Sequence, residues 1–209
     1  MSHRKSFYEK FIKRPQDLLC ASLAIVVLSP VMAITALLVR IKLGKPVLFI
    51  QERPGLNGRI FRLYKFRTML PINDNTDCPP NDADRLTPFG KKLRATSLDE
   101  LPELFNIVKG DMAVVGPRPL LVRYLERYSS YQARRHEVRP GFTGLAQIHG
   151  RNAIDWDEKL DWDVRYVDHV SFLGDWKIIF KTIKLVLKHE GINADGEATA
   201  AEFLGSRKE

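Results

Sequence analysis

The sequence predicts an α+β, helix-rich fold, with an apolar N-terminal helix interrupted at Ser29-Pro30 and then a compact domain carrying a β-hairpin and amphipathic helices. Three observations predict it. Leu18 to Val39 contains no charged residue. Val47 to Arg53 and Arg59 to Phe66 flank the turn-forming stretch Pro54-Gly55-Leu56-Asn57-Gly58. Apolar residues recur at helical spacing after Asp99, from Trp156 to Val170, and from Trp176 to Lys188. The organisation read from this is a membrane-type apolar segment over 1–44, a compact domain over 45–190 and a polar tail over 191–209.

The apolar run comes first. As a straight helix it would be roughly 33 Å long, enough for a bilayer core of about 30 Å. A cleavable signal peptide fits poorly, because the run starts late and is too long. Arg4, Lys5, Lys10, Lys13 and Arg14 precede it, and Arg40, Lys42 and Lys45 follow. Positive charge at both ends pulls both ends toward the cytoplasm. A helix that enters and turns back satisfies that bias. Pro30 removes a backbone donor mid-run, and Ser29 can bond the carbonyls this frees. A Pro-kinked crossing helix satisfies the same residues. The residues alone leave both open.

The hairpin follows, and then positions 71 to 88, rich in Pro, Asn and Asp, read as a loop. Ser97 with Glu100 three residues on matches a capping box; alternatively Pro102 opens the helix, where proline is tolerated. Either choice puts Asp99 and Glu100 at a helix start, and Lys109-Gly110 ends that helix. Leu120 to His136 reads as a basic helix. Trp156, Leu160, Val164 and Val167 form one stripe. In the last helix Lys177, Lys181, Lys184 and Lys188 share a face beside Ile179, Phe180, Ile183, Val186 and Leu187. A core helix with a solvated lysine face is the preferred reading, and a helix lying on an anionic membrane is the alternative.

The chain has 209 residues and a formal net charge of +8, which implies an anionic partner: nucleic acid, an anionic bilayer or a phosphorylated substrate. Cys20 and Cys78 make no disulfide framework, and no Cys/His cluster suggests zinc. Asp99 can serve as a nucleophile toward phosphorus and Glu100 as a Mg2+ ligand. Arg118, held between Pro117 and Pro119, is a forked donor suited to phosphate. The glycine-rich stretch Arg139 to Gln147, running on to Arg151, can offer backbone amides or Arg151 to an anion, or be a simple connector. Lys65 ends a strand in Lys65-Phe66-Arg67-Thr68-Met69. Arg123, Tyr124, Arg127, Tyr128, Tyr131, Arg134 and Arg135 suggest a rival, a nucleic-acid-binding module, but no nucleic-acid motif accompanies them. A membrane scaffold without activity is a second rival.

Lys65 to Met69, Ser97 to Pro119, Arg139 to Arg151 and the Ser29-Pro30 break, in this order, resemble the bacterial sugar transferases, the small monotopic phosphoglycosyl transferases. Ala113 and His149 depart from the residues frequent there. The short length and the tail from Gly191 to Thr199 look closest to the branch that transfers phospho-bacillosamine for protein glycosylation. The resemblance implies a re-entrant helix turning at Ser29-Pro30 and an active site on the cytoplasmic face of a bacterial inner membrane. It implies Asp99 as the nucleophile that attacks the β-phosphate of a UDP-sugar and releases UMP. Glu100 matches a Mg2+ partner, and undecaprenyl phosphate takes the phosphosugar. Lys65, Arg118, Arg151 and Asp175 become further site candidates by position. Inner-membrane lipids and downstream glycosyltransferases are the implied partners, and nucleic acid is not.

Overall fold

The computed structural model describes residues 5–71, 82–150, 154–188 and 202–205. The fold is α+β and helix-rich, as the sequence predicts. A π-helical turn, Tyr8–Ile12, leads into α1, Lys13–Leu43. Together they form a 36-residue helix long and apolar enough to cross a membrane. The expected interruption at Ser29-Pro30 is not found: the helix is continuous through Pro30, and the Ser29 hydroxyl donates to the Val26 carbonyl at 2.8 Å, one turn back.

One side of α1 packs on the body along its length. Ala21 joins Leu63, Leu104, Ile107 and Met112 in one apolar cluster, while Met32, Val39 and Leu43 join Phe66, Leu93 and Leu101 in another. Near its start, the Arg14 guanidinium donates to the carbonyls of Ile107 (2.6 Å) and Val108 (2.9 Å) at a helix C-terminus, where the Ile107 carbonyl also accepts from the Gly110 amide (3.0 Å). The Asp17 carboxylate accepts from the Val114 amide at 3.0 Å. The opposite side of α1 is bare hydrocarbon, with Leu19 and Val26 each 70% exposed and Leu23, Ile34, Leu37 and Ile41 also exposed.

Strands β1 (Leu48–Pro54) and β2 (Ile60–Phe66) pair antiparallel, with Phe49 opposite Lys65. Asn57 (φ 55°) and Gly58 (φ 72°) take the left-handed conformations that the turn requires. Next come α2 (Asp82–Arg85), inside the expected loop, and α3 (Pro88–Ala95), capped by the Thr87 hydroxyl. Helix α4 (Glu103–Lys109) ends at Gly110 in the left-handed region. Strands β3 (Ala113–Val115) and β4 (Gly141–Thr143) pair parallel. Helices α5 (Leu145–Ile148), α6 (Trp156–Asp168) and α7 (Phe172–Lys188) complete the body. The expected stripe on α6 is the core, since Leu160, Val164 and Val167 are fully buried.

Two expectations are corrected. Leu120 to His136 is not one helix but two 3₁₀ stretches, Val122–Arg127 and Gln132–Glu137. Ser129 and Gln132 exchange side-chain-to-amide bonds (3.0 and 3.2 Å), a reciprocal cap that restarts the chain. On α7 the exposed face is not purely lysine: Leu173, Phe180 and Ile183 are exposed beside Lys177, Lys181 and Lys184. A mixed apolar and cationic face is the pattern of a helix at a membrane surface. Cys20 is a free thiol, and Cys78 lies outside the described residues.

Candidate active site

Asp99 and Glu100 sit in a 3₁₀ turn, Leu98–Glu100, that leads through Pro102 into α4. Ser97 is left-handed (φ 55°) and makes no side-chain cap, so no capping box forms; Pro102 is the N-cap of α4 instead. Asn106, fully buried on α4, fixes this segment to the hairpin. Its amide donates to the Arg62 carbonyl (2.7 Å) and its oxygen accepts from the Tyr64 amide (3.1 Å). The next residue along β2 is Lys65, which is thereby held under the carboxylates.

Lys65 Nζ donates to Glu100 Oε1 at 2.7 Å and lies 3.0 Å from Glu103 Oε1. Arg118 Nη2 donates to the same Glu100 oxygen. The backbone around Arg118 is fixed three ways. The Gly116 amide donates to the Thr143 carbonyl (2.9 Å), the Gly141 amide donates to the Pro117 carbonyl (2.9 Å), and Arg135 Nη2 donates to the Arg118 carbonyl (2.6 Å). Gly116 and Gly141 are needed for this approach, because a Cβ on either would meet backbone atoms at 2.4 and 2.0 Å. The Gly141 amide is thus spent inside the protein rather than on an anion. Arg135 is itself buried in an ion pair with Asp163 (2.7 Å).

These groups border a cleft of about 270 Å3. Arg94, Glu100 and Arg118 line it, with Phe142, Thr143, Trp156, Lys159 and Thr182 among the rest of the wall. Asp99 is not one of the lining residues, although its neighbour Glu100 is, and it is 7% exposed.

The electrostatics split the carboxylate pair. Burial, then the neighbouring Glu100 charge, pushes Asp99 up to about 7, against Lys65, Arg94 and Arg118. Burial also pushes Glu100 up, but Arg118 and Lys65 outweigh it and hold the carboxyl well below the usual range. Burial raises Glu103. Burial works against the charge on Lys65, yet Glu100 and Glu103 leave its pKa raised. One carboxylate firmly ionised beside one poised near neutrality is the pattern of a functional pair.

A cation would relieve the buried Asp99 charge as a proton does. Among the described residues no group of three or more His, Cys, Asp or Glu can hold a metal. Two adjacent carboxylates are compatible with Mg2+, which keeps several waters and takes substrate phosphate oxygens beside one or two carboxylates.

The structure thus brings together four residues expected from sequence: Lys65, Asp99, Glu100 and Arg118. Asp175 is elsewhere. Fully buried on α7, it accepts from Tyr8 (2.7 Å), Tyr166 (2.9 Å) and Lys13, tying the start of α1 to the body rather than lining the cleft. Arg151 lies outside the described residues. His149 stacks on Trp162 with 4.0 Å between ring centroids. Sequence reasoning missed Glu103, Asn106, the Arg135–Asp163 pair and Lys159. Of these, Glu103 and Asn106 lie in the segment that drew attention, and their charge or polarity at a core position was the available signal.

Residues 8–189 match the bacterial sugar transferase family. The chain belongs to that family. It is 50% identical over 195 residues to the uncharacterized sugar transferase EpsL of Bacillus subtilis (strain 168), covering 93% of this chain and 96% of that protein. It is 40% identical to the UDP-N-acetylgalactosamine-undecaprenyl-phosphate N-acetylgalactosaminephosphotransferase of Aeromonas hydrophila, over 85% of this chain and 44% of that protein. It is 42% identical to the UDP-glucose:undecaprenyl-phosphate glucose-1-phosphate transferase of Klebsiella pneumoniae, over 82% of this chain and 39% of that protein. The chain therefore spans nearly all of EpsL and under half of the two named enzymes.

Proposed function

We propose that this chain is a phosphoglycosyl transferase that moves a sugar 1-phosphate from a UDP-sugar to undecaprenyl phosphate and releases UMP. The observation that carries the proposal is buried Asp99 beside half-buried Glu100, the latter held by Lys65 and Arg118 at the edge of a cleft. Relatives named for this transfer with N-acetylgalactosamine and glucose donors support it.

The reaction runs in two displacements. An Asp99 carboxylate oxygen attacks the β-phosphorus of the donor, the bond to the bridging oxygen breaks, and UMP leaves with that oxygen. A phosphate oxygen of the acceptor then attacks the same phosphorus, the bond to Asp99 breaks, and undecaprenyl diphosphate-sugar forms. Splitting the transfer lets one pocket serve two dissimilar substrates in turn. Arg118 supplies fixed positive charge to the transferring group, and Lys65 with Arg118 keeps Glu100 ionised and oriented. Mg2+, held by Glu100, would supply charge neutralisation on the phosphates.

α1 supports a monotopic arrangement. Arg14 and Asp17 near its start and Val39 and Leu43 near its end all pack on the same body. A helix crossing the bilayer would have to pull either end away from that body. The bare face of α1 and the mixed face of α7 then lie in one leaflet, at the cytoplasmic surface of the inner membrane, where a polyprenyl phosphate headgroup sits. Two donor classes follow from two lines of support. The names of relatives favour a UDP-hexose or UDP-N-acetylhexosamine for polysaccharide assembly. The tail sequence from Gly191 to Thr199 favours UDP-N,N'-diacetylbacillosamine, with downstream glycosyltransferases as associates.

The test is UMP release by purified protein in detergent, with Mg2+, undecaprenyl phosphate and UDP-glucose, UDP-galactose, UDP-N-acetylgalactosamine or UDP-N,N'-diacetylbacillosamine. Release that needs one donor and is lost in Asp99→Asn is expected. Equal release from Asp99→Asn would overturn the assignment of the nucleophile.

A further inference from the structure

Lys159 lies on α6 and lines the same cleft as Glu100 and Arg118, half-buried. Its ammonium sits 4.5 Å from the centre of the Trp156 ring, one turn earlier on the helix. Trp156 is in turn packed edge-on against Tyr124 (5.6 Å) and tilted against Phe203 (5.4 Å). The lysine stem is therefore held on a rigid aromatic wall rather than swinging in solvent.

The nearby carboxylates are committed elsewhere. Asp163, one turn on, is bound by Arg135 through two nitrogens. Asp155 caps the start of α6 through the Glu158 amide at 2.7 Å. Glu158 accepts from the Trp162 indole. Among the described residues no carboxylate forms an ion pair with Lys159, while Glu100 in the same cleft is neutralised by Arg118 and Lys65. A half-buried ammonium facing a cleft without a carboxylate partner is a place for a ligand anion.

We propose that Lys159 binds a substrate phosphate: an oxygen of the donor diphosphate on the UMP side or the phosphate of the polyprenyl acceptor. The proposal rests on the phosphoglycosyl transferase reading. Burial lowers the proton affinity of Lys159; Asp163 and Asp155 counter this only in part, and Arg118 acts in the same sense as burial. An incoming phosphate would restore it. Lys159 is a compact point charge on a flexible stem, which suits a phosphate that must arrive and leave in each half-reaction.

The experiment compares wild type, Lys159→Met and Lys159→Arg as full-length protein in detergent. Methionine keeps the stem against Trp156 and removes the charge. Expected for Lys159→Met is at least a tenfold rise in one KM, with kcat within about threefold, and recovery to within about threefold in Lys159→Arg. A rise in donor KM together with equally weakened product inhibition by UMP assigns the donor phosphate. A rise in the undecaprenyl phosphate KM alone assigns the acceptor. Both KM values within twofold of wild type, at unchanged Tm, would overturn the proposal. If wild type itself releases no UMP from any donor, the functional reading fails separately. Calorimetric binding of UMP and of undecaprenyl phosphate to wild type and Lys159→Met then decides the matter. A tenfold loss of either ligand in Lys159→Met supports a phosphate site, and equal binding or none overturns it.

Discussion

Removing one member of the Arg135–Asp163 pair should destabilise the body strongly, and removing both should separate stability from activity. The two side chains are 1% and 3% exposed, and Arg135 donates to Asp163 Oδ2 through Nε (3.0 Å) and Nη2 (2.7 Å). Asp163→Leu leaves a guanidinium in the interior without its counter-charge. That costs about 3–5 kcal/mol, which for a chain of this size lowers Tm by roughly 6–20 °C. Arg135→Met leaves a carboxylate instead, and a carboxylate can take up a proton. Burial already raises the Asp163 pKa. Without Arg135 it rises further, so the loss in Arg135→Met shrinks as pH falls from 7.5 to 5.5, whereas the loss in Asp163→Leu does not. The double variant buries no charge and should return to within about 1–2 kcal/mol of wild type. Its UMP release should nevertheless stay at least about tenfold down, because the Arg118 carbonyl has lost its Arg135 donor and the phosphate-facing turn is loosened. Thermal melts in detergent at the two pH values, with UMP release alongside, measure all four proteins. Asp163→Leu within about 1 kcal/mol of wild type, or a double variant that regains both stability and activity, would show that this pair neither holds the body together nor fixes the Arg118 turn.

Other expectations follow from the same contacts. Burial, then Arg135, lowers His136 to about 4 against an ordinary 6.5, so the unfolded chain takes the proton first and stability falls as pH drops from 7 toward 4. The loss by pH 5 is about 2 kcal/mol, and the Tm difference between pH 7.5 and pH 5 should shrink in His136→Gln. Phe203 is 1% exposed among Tyr124, Tyr128 and Trp156. Phe203→Ala should release residues 202–205, read as faster amide exchange there and a red-shifted Trp fluorescence, while Phe203→Leu should keep most of the docking. Asn106→Leu removes bonds to Arg62 and Tyr64 and leaves those backbone groups unpaired. It should cost about 2–4 kcal/mol and reduce UMP release through displaced Lys65.

The elements carried by strong local chemistry are legible in the sequence. The Pro54 to Gly58 turn sets the hairpin, Lys109-Gly110 ends α4, and the uncharged run from Leu18 to Val39 is a helix. Lys65, Asp99, Glu100 and Arg118 converge because each lies in a compact motif whose residue types suit phosphate chemistry. What is not legible depends on pairing across the chain. Asp175 takes its partners Tyr8 and Lys13 from the far N-terminus, so its role as a joint for α1 is invisible locally. Arg135 looks like one of many cations on a basic helix, yet Asp163 buries it. Two 3₁₀ stretches replace that helix because Ser129 and Gln132 cap each other, a local signal that the row of cations and tyrosines obscures. On α7 the lysine spacing shows in the sequence, but which side meets the core depends on contacts no window of sequence contains.

Incubating the purified protein with its UDP-sugar and Mg2+, without undecaprenyl phosphate, and measuring intact mass reads out the covalent phosphosugar on Asp99. An added mass of one phosphosugar is expected, mapped to Asp99, discharged on addition of undecaprenyl phosphate and absent in Asp99→Asn. Phosphosugar transfer to the lipid with no protein-bound species at any time, or a species that persists in Asp99→Asn, would contradict this expectation.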